Sequence, residues 1–324
     1  MDIKQNDLMK KSLKYLIWIL ILIVFGIGMT FWENDIPLPI LKQKHAVSPS
    51  KFLKMEDLEV HYRDQGNQTD SLPIVLLHGT AASLHTWEGW VQELQSEHRI
   101  ITLDLPAYGL TGPHPAGDYS VSFYVDFIDD FLTRLGVEKC IIGGNSLGGY
   151  IAWNYALKHP QKTKKLILVD AAGYPIQSES IPLAFQLASI PVIKNVFKYI
   201  TPRPILKKSI ENVYGEPSKI DKKLVDRYFE LSLRAGNRAA FIDRMSKFRK
   251  KGLDENYEQL KKLSTPTLII WGEKDRLIPI SVAYRFQKDL PNNTLVTFPK
   301  LGHVPQEEDP QETVKSVLNF LRKN

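Results

Sequence analysis

A rhythm of short apolar runs and helical segments, beginning near residue 51, most constrains the fold of the 324-residue sequence. Several runs consist of consecutive Val, Ile and Leu, as in strands that are covered on both faces. The predicted strands are Leu58–Asp64, Ile74–His78, Ile100–Asp104, Cys140–Gly143, Leu166–Asp170, Thr267–Trp271 and Thr294–Phe298. The predicted helices are Thr86–Ser96, Val121–Leu135, Leu147–His159, Ser281–Leu290 and Gln311–Arg322. This β-α-β order predicts an α/β fold, with a mostly parallel central sheet and helices on both faces.

A long interruption of this rhythm predicts an inserted helical layer. About a hundred residues separate Leu168 from Leu268, and they show helical character without a clear strand. The stretch is rich in Leu, Ile, Phe and Tyr, whereas a solvated linker is polar. We therefore expect a core made of residues 51–173 and 263–324. Residues 174–262, which we call the helical insert, are expected to cover the core as a cap.

An uncharged run near the N-terminus predicts a transmembrane anchor. Residues 15–32 contain no charged side chain, and 18 helical residues rise roughly 27 Å, close to the thickness of a bilayer's hydrocarbon core. Tyr15, Trp18 and Trp32 lie near the ends of the run, where aromatic rings favour the membrane interface. The alternative, a cleaved signal peptide, is disfavoured because bulky rather than small residues end the run.

The lysines beside this run predict its orientation. Three lysines lie within ten residues before it, and one lies within ten residues after it. The positive-inside rule then places residues 1–14 in the cytoplasm and the large C-terminal part across the membrane, which in a bacterium is the periplasmic side. Residues 33–50 contain three prolines and are expected to form a linker.

Composition and charge narrow the class of protein further. The chain is 43% hydrophobic and 24% charged, which excludes disordered and low-complexity classes. Its single cysteine, Cys140, excludes an intramolecular disulfide framework and a Cys-rich metal site. The net charge is +6, but residues 194–262 alone carry +9 and the rest carries −3. A basic segment beside an anchor would be drawn to anionic lipid headgroups, although the same charges could simply face solvent. No nucleic-acid partner is expected.

The candidate nucleophile lies in the sequence Gly144-Asn145-Ser146-Leu147-Gly148, between a predicted strand and a predicted helix. A serine at the tip of a sharp strand–turn–helix is exposed, and the flanking glycines remove Cβ clashes. A serine in this position forms an acyl-enzyme, so the expected chemistry is acyl transfer to water.

At this point the chain resembles the α/β-hydrolase family, from about residue 51 to the C-terminus. The resemblance rests on separated motifs in the family's order: His78-Gly79-Thr80, Asp104-Leu105-Pro106-Ala107-Tyr108-Gly109, the Ser146 turn, Trp271-Gly272-Glu273-Lys274-Asp275 and Gly302-His303. The nearest subset is the cap-bearing serine esterases and lipases, which includes membrane-anchored monoacylglycerol lipases. Haloalkane dehalogenases and epoxide hydrolases are similar in the His-Gly loop, but they use an aspartate nucleophile, whereas this chain has Ser146.

The remaining catalytic residues are predicted from chain order. Serine needs a base to accept its proton and an acid to orient that base. His303 follows the last strand and is the predicted base. Asp275 follows the preceding strand, and Ser-Asp-His is the order expected for this fold. Asp170, which ends an earlier strand, remains the alternative acid. Asp104 is expected to be structural, because it begins a Pro-containing turn.

Two backbone N–H groups are predicted to stabilise the tetrahedral intermediate, those of Leu147 and Thr80. Neither a metal nor a cofactor is expected, since the glycine-rich stretch around Ser146 is explained by the nucleophile turn.

The sequence thus predicts a membrane-anchored serine hydrolase of carboxylic esters, with lipids such as monoacylglycerols as substrates. One alternative is a hydrolase of small soluble esters, or of carbon–carbon bonds in vinylogous diketones; members of the latter group carry a longer glycine-rich loop after His-Gly than this chain does. Another is a non-catalytic scaffold that kept the fold. Acyl chain length, head group and oligomeric state are not readable from the sequence.

Overall fold

A computed structural model describes residues 11, 13–19, 26, 28–190, 196–251 and 256–322. Its centre is a sheet of eight strands: β1 (Lys51–Met55), β2 (Leu58–Gly66), β3 (Ile74–Leu77), β4 (Arg99–Leu103), β5 (Cys140–Asn145), β6 (Thr163–Val169), β7 (Thr267–Gly272) and β8 (Asn293–Phe298). The strand order is β1-β2-β4-β3-β5-β6-β7-β8. The pairings of β1 with β2 and of β2 with β4 are antiparallel, and all the others are parallel. The predicted α/β fold with a mostly parallel sheet is confirmed.

From residue 32 onward, the described part of the chain contains the α-helices α1 (Leu38–His45), α2 (Glu88–Leu94), α3 (Val121–Arg134), α4 (Leu147–Lys158), α5 (Leu183–Ala188), α6 (Arg203–Val213), α7 (Lys222–Ser232), α8 (Asn237–Lys251), α9 (Ser281–Asp289), α10 (Pro305–Glu308) and α11 (Pro310–Leu321). Short 3-10 turns are Leu84–Trp87, Val196–Lys198, Pro217–Lys219 and Tyr257–Lys262. The helix predicted from residue 86 therefore starts as a 3-10 turn and continues as α2.

Helices cover both faces of the sheet, as predicted. On one face Phe131 of α3 and Trp153 of α4 are fully buried against the sheet. On the other face Trp90 of α2 packs with Val317 and Phe320 of α11. A Leu or Phe side chain buried in this way stabilises a fold by about 1.5–3 kcal/mol, so these two layers hold the parallel strands in register.

One strand was missed by the sequence analysis. β1 is an edge strand that pairs only with β2, and its burial alternates weakly because Lys51 and Lys54 lie on it. Lysines on an edge strand discourage pairing with other chains. They also interrupt the run of apolar residues, which is the sequence pattern that predicts the inner strands.

Residues 33–50, the predicted linker, are not extended throughout, since they include α1. Pro37 and Pro39 occupy the start of this helix, where proline is tolerated since the first N–H groups have no intrahelical acceptor. Leu41 is 1% exposed and packs with Leu110 and Leu231. The prolines therefore begin a packed helix here.

The predicted anchor, residues 15–32, lies partly outside the described residues, which omit 20–25 and 27. Of the helices that are described, none has the length and apolar character to cross a membrane.

The helical insert lies between β6 and β7 and contains α5 to α8. Ile210, Tyr214 and Val225 of the insert form a buried cluster with Val304, which follows the predicted base. The insert therefore packs over the carboxyl ends of the strands, where the loops of an open parallel sheet form its binding sites.

Candidate active site

The candidate nucleophile has the strained backbone that its sequence predicted. Ser146 joins β5 to α4 with φ 54° and ψ −113°, a conformation rare for a residue with a Cβ. A Cβ on Gly144 would lie 2.2 Å from the carbonyl carbon of Gly148, and one on Gly148 would lie 2.0 Å from Leu77 O. The turn therefore requires both glycines.

His303 and Asp275 form a buried hydrogen-bonded pair. Nδ1 of His303 lies 2.6 Å from Oδ2 of Asp275, and both side chains are almost fully buried. Oδ1 of Asp275 accepts the backbone N–H groups of Leu277 at 2.8 Å and Ile278 at 2.9 Å. These two backbone bonds hold the Asp275 carboxyl group in place, and its bond to Nδ1 fixes the histidine ring with Nε2 free of the pair. This is the geometry expected for the base and acid of a triad.

Asp170, the alternative acid, lies in the same buried group but has a different environment. Its Oδ1 accepts the N–H of Gly272 at 3.0 Å, and its backbone is strained at φ 42°. Burial, together with the neighbouring Asp275 carboxylate, raises the pKa of Asp170 well above its usual value. The raised pKa favours the neutral form of Asp170, and Asp275 is the carboxyl group that bonds His303.

Asp170, Asp275 and His303 also form a possible ligand set for a metal ion, since their ligand atoms lie within 4.8 Å of one another. However, Nδ1 of His303 is already bonded to Asp275, and the raised pKa of Asp170 favours its protonated form. A metal requires deprotonated ligands, so these residues fit a hydrogen-bonded catalytic group better than a metal site.

Asn145 joins the nucleophile turn to the histidine loop. Its Nδ2 donates to the carbonyl of His303 at 2.8 Å and to that of Val169 at 3.1 Å. The N–H of Ser146 also donates to Val169 O at 3.1 Å. These bonds place Ser146 and His303 on the wall of one cavity, which both residues line.

The two predicted oxyanion donors border the nucleophile. Leu147 is the first residue of α4, so its N–H has no intrahelical acceptor. Thr80 lies in the loop after β3, and a Cβ on the preceding Gly79 would be 3.2 Å from Ser146 Cβ. Both therefore lie beside the candidate nucleophile, and their role as oxyanion donors stays a prediction.

His78 supports the loop that carries Thr80. Its Nε2 accepts the N–H of Leu105 at 2.9 Å, so the proton is on Nδ1, which donates to Gly79 O at 2.7 Å. Burial lowers the pKa of His78, which keeps the ring neutral and this pattern intact. From the helical insert, Nη1 of Arg244 donates to Thr80 Oγ1 at 3.1 Å.

Most of the cavity wall is apolar. We call it the apolar cavity; besides Ser146, His303 and the residues beside them, its lining includes Pro182, Ala184, Phe185, Ala188, Phe197, Leu206, Ile210, Val213, Leu231, Phe241, Ile242, Leu277 and Val304. Most of these side chains come from the helical insert. The insert therefore shapes the space next to Ser146, and an apolar group fits it.

A second Ser-His-Asp arrangement lies outside this cavity. Oγ of Ser50 is 2.9 Å from Nε2 of His61, whose Nδ1 is 2.7 Å from Oδ2 of Asp104. Neither Ser50 nor His61 lines the apolar cavity. Asp104 also accepts hydrogen bonds from the backbone N–H groups of Leu84 and Leu110, at 2.8 and 2.7 Å. Burial alone would raise the pKa of Asp104, but the neighbouring His61 outweighs it and the pKa of Asp104 is lowered. Asp104 thus has the structural role that was predicted.

Sequence reasoning missed Arg238 and Arg244, which it counted with the basic charges of the insert. Arg238 is only 8% exposed and lines the apolar cavity, and Arg244 contacts Thr80. The sequence around these two arginines on α8 does not indicate a role at the site, because the residues that they bind lie far away in the chain.

The comparisons with known proteins agree with this architecture. A family model for the alpha/beta hydrolase fold matches residues 73–192 and 218–310. An uncharacterized hydrolase of Bacillus subtilis (strain 168) is 29% identical over 281 residues, covering 86% of this chain and 99% of the relative. A 2-hydroxy-6-oxononadienedioate/2-hydroxy-6-oxononatrienedioate hydrolase of Burkholderia vietnamiensis is 27% identical over 278 residues, covering 82% and 92%.

Among solved structures, a thermophilic esterase from Thermogutta terrifontis matches with a TM-score of 0.70 at 25% identity, covering 85% of this chain and 99% of that one. Because the family model spans more than half of the sequence, the chain belongs to the alpha/beta hydrolase fold family.

Proposed function

We propose that this hydrolase is a membrane-anchored serine esterase that cleaves lipid esters, such as monoacylglycerols, through an acyl-enzyme. The observation that carries the proposal is that Ser146 and His303 line a cavity whose other walls are mostly apolar. An acyl chain fits such walls, and its ester carbonyl would then lie beside the serine. The likeness to a thermophilic esterase supports ester chemistry in general.

The geometry suggests how the reaction would proceed. Ser146 Oγ attacks the ester carbonyl while His303 Nε2 takes the serine proton, and Asp275 stabilises the resulting imidazolium. The N–H groups of Leu147 and Thr80 bind the oxyanion. The intermediate collapses when the C–O bond to the alcohol breaks and His303 protonates the leaving oxygen. Water then attacks the acyl-enzyme by the same steps, which releases the fatty acid and restores the serine.

A second candidate function is carbon–carbon bond hydrolysis, which the Burkholderia vietnamiensis relative favours. The substrate in that relative's name is a dicarboxylate, and a dianion needs cations in its binding site. Among the described residues that line the apolar cavity, Arg238 is the one permanently charged side chain, and it is already paired with Asp35 at 2.6 Å. The cavity therefore suits an uncharged acyl group better.

The test is hydrolysis of nitrophenyl esters from acetyl to palmitoyl by the full chain. We expect turnover that peaks at medium or long chains and falls by a factor of about a thousand or more in Ser146→Ala. Ser50→Ala is the matched control, because it removes the serine of the other Ser-His-Asp arrangement and should leave turnover unchanged. A peak at acetate would favour small soluble esters, and turnover that survives Ser146→Ala would refute the assignment of the nucleophile.

A further inference from the structure

A short segment after the predicted anchor lies directly on the helical insert. We call residues 32–36 the strap. The ring of Trp32 stacks on Tyr199, with centroids 5.5 Å apart and planes 5° from parallel. The N–H of Glu33 donates to Tyr199 O at 3.2 Å, and that of Ile36 donates to Leu233 O at 2.8 Å. The strap is thus fixed to the insert by backbone as well as side-chain contacts.

Arg238 connects the strap to the apolar cavity. Its guanidinium donates to the carbonyl of Glu33 at 2.9 Å and to Oδ1 of Asp35 at 2.6 Å. The same arginine is buried and lines the cavity, as does Thr201, which it also contacts. A residue of the cavity wall is therefore bonded directly to the segment that follows the predicted anchor, and these bonds fix their relative position.

Exposed apolar side chains concentrate at the strap, in the segment before it, and at Ile181, Leu183 and Tyr199, which flank cavity-lining residues of the insert and which we call the cavity mouth. Of the fourteen large exposed ones in the described residues, eight belong to the chain up to the strap's first residue: Leu13, Tyr15, Leu16, Ile17, Trp18, Ile19, Met29 and Trp32. Three more, Ile181, Leu183 and Tyr199, lie within two residues of cavity-lining positions in the sequence. Large exposed apolar side chains that cluster in this way are typical of a surface that contacts another molecule or a membrane.

The chemistry of these surfaces favours a lipid bilayer as the occupant. The segment before the strap is a long uncharged run, and its aromatic side chains suit the interface between headgroups and hydrocarbon. The insert carries +9 over residues 194–262, which anionic headgroups attract. The lining of the cavity is mostly apolar as well, so a lipid acyl chain would exchange one apolar environment for another.

We propose that the strap holds the apolar N-terminal segment beside the mouth of the apolar cavity, so that the mouth opens onto the bilayer and lipid acyl chains enter directly from the membrane. This inference rests on the proposed function and specifies the source of the substrate: a lipid already in the bilayer, in preference to an ester dissolved in water.

A direct test places a fluorescent label at the mouth. The native Cys140 is buried, and burial raises its thiol pKa to about 12, so it reacts slowly. Ile181→Cys or Leu183→Cys would carry an environment-sensitive dye in the full chain, reconstituted into phosphatidylcholine–phosphatidylglycerol vesicles that contain a doxyl-labelled quenching lipid. The control is Tyr284→Cys, an exposed aromatic position on α9. We expect strong quenching at positions 181 and 183 and little at 284.

Equal quenching at all three positions, or none at 181 and 183, would overturn the proposal. This readout needs no turnover, so it does not depend on the proposed esterase activity. If the wild-type chain hydrolyses no ester but the mouth labels are quenched, the proposed function fails and the membrane contact stands.

A second test loosens the strap. Trp32→Ala removes the ring stack on Tyr199 and leaves Asp35, the partner of the cavity-lining Arg238, in place. We expect hydrolysis of a monoacylglycerol in the vesicles to fall at least about fivefold, the equivalent of one lost aromatic pair, while hydrolysis of a water-soluble butyrate ester is unchanged. Tyr284→Ala serves as the control. Equal losses on both substrates, or no loss on either, would contradict a role of the strap in lipid access.

Discussion

Asp275 is bonded to His303 and Asp170 is not, although the two carboxyl groups lie side by side at the ends of neighbouring strands. Asp275 Oδ2 is 2.6 Å from His303 Nδ1, and the ligand atoms of all three side chains lie within 4.8 Å of one another. Two buried carboxylates this close cannot both ionise at neutral pH, because like charges repel strongly where water is absent. One proton therefore stays in the group, and the raised pKa places it on Asp170.

This relationship predicts that two isosteric substitutions differ in their effect on kcat. Asp275→Asn removes the charge that stabilises the imidazolium of His303, so kcat for ester hydrolysis should fall by a factor of about a thousand to ten thousand. Asp170→Asn replaces a neutral carboxyl by a neutral amide, so kcat should stay within about threefold. Steady-state kinetics on one nitrophenyl ester at pH 7 compares the two, and a larger loss in Asp170→Asn would make Asp170 the triad acid.

The hydrogen bond between Arg244 and Thr80 predicts that substitutions of these two residues have coupled effects on kcat, because both act on the loop that carries Thr80. Arg244→Met and Thr80→Val each remove the 3.1 Å hydrogen bond from the insert to the loop, while the backbone N–H of Thr80 remains. Each change should lower kcat by about threefold to tenfold, the equivalent of one net hydrogen bond. A double-mutant cycle tests the link, since the double variant should be no slower than the worse single variant. Effects that multiply would show that the two residues act independently.

Local patterns explain why the nucleophile could be predicted from the sequence. The strand, the turn and the helix around Ser146 are adjacent in the chain, and the glycines that the turn requires stand at fixed positions beside it. His303 and Asp275 lie far apart in the sequence, but each follows a buried strand, so chain order and strand context were sufficient. Parallel strands then bring such loops to one edge of the sheet.

Contacts between distant segments could not be predicted in this way. Arg238 binds Asp35, 203 residues earlier, and Arg244 binds Thr80, 164 residues earlier. Nothing near either arginine in the sequence distinguishes it from the solvated basic residues of the same segment. The helix within the predicted linker was missed for a similar reason, because Leu41 is stabilised by Leu110 and Leu231, to which the local sequence gives no clue.

Burial of His85 predicts that acid destabilises the fold. Its Nε2 lies 3.1 Å from His45 O, and burial lowers its pKa from 6.5 to about 4. About one pH unit or more above 6.5 the residue is neutral in both the folded and the unfolded chain, so it adds no pH dependence there. Below pH 6.5 the unfolded chain binds a proton that the folded chain does not. The free energy of unfolding should therefore fall by about 3 kcal/mol between pH 6.5 and 4 through this residue alone.

Urea unfolding of the full chain at several pH values in that range measures this fall, and His85→Gln provides the comparison. Histidines that do not contact His85 contribute equally to both proteins, so the difference in slope reports His85 and its immediate neighbours. Parallel pH profiles for the two proteins would contradict the assignment.

The lining of the apolar cavity predicts how the preference for acyl chain length can be changed. Ala188 ends α5, is 2% exposed and lines the cavity near Phe185, whose ring lies 5.4 Å from that of Phe241. Ala188→Phe would place a second ring in the space proposed for the acyl chain, and overpacking of this kind costs about 1–3 kcal/mol. Hydrolysis of long-chain esters should fall by tenfold or more, whereas the acetate ester, whose acyl group does not reach this part of the cavity, should be cleaved at the wild-type rate.

Gln186→Phe is the control, because it adds the same ring on the exposed side of α5 and should leave the chain-length profile unchanged. An equal loss for short and long chains in Ala188→Phe would indicate damage to the catalytic group and would refute the acyl-binding role of this cavity.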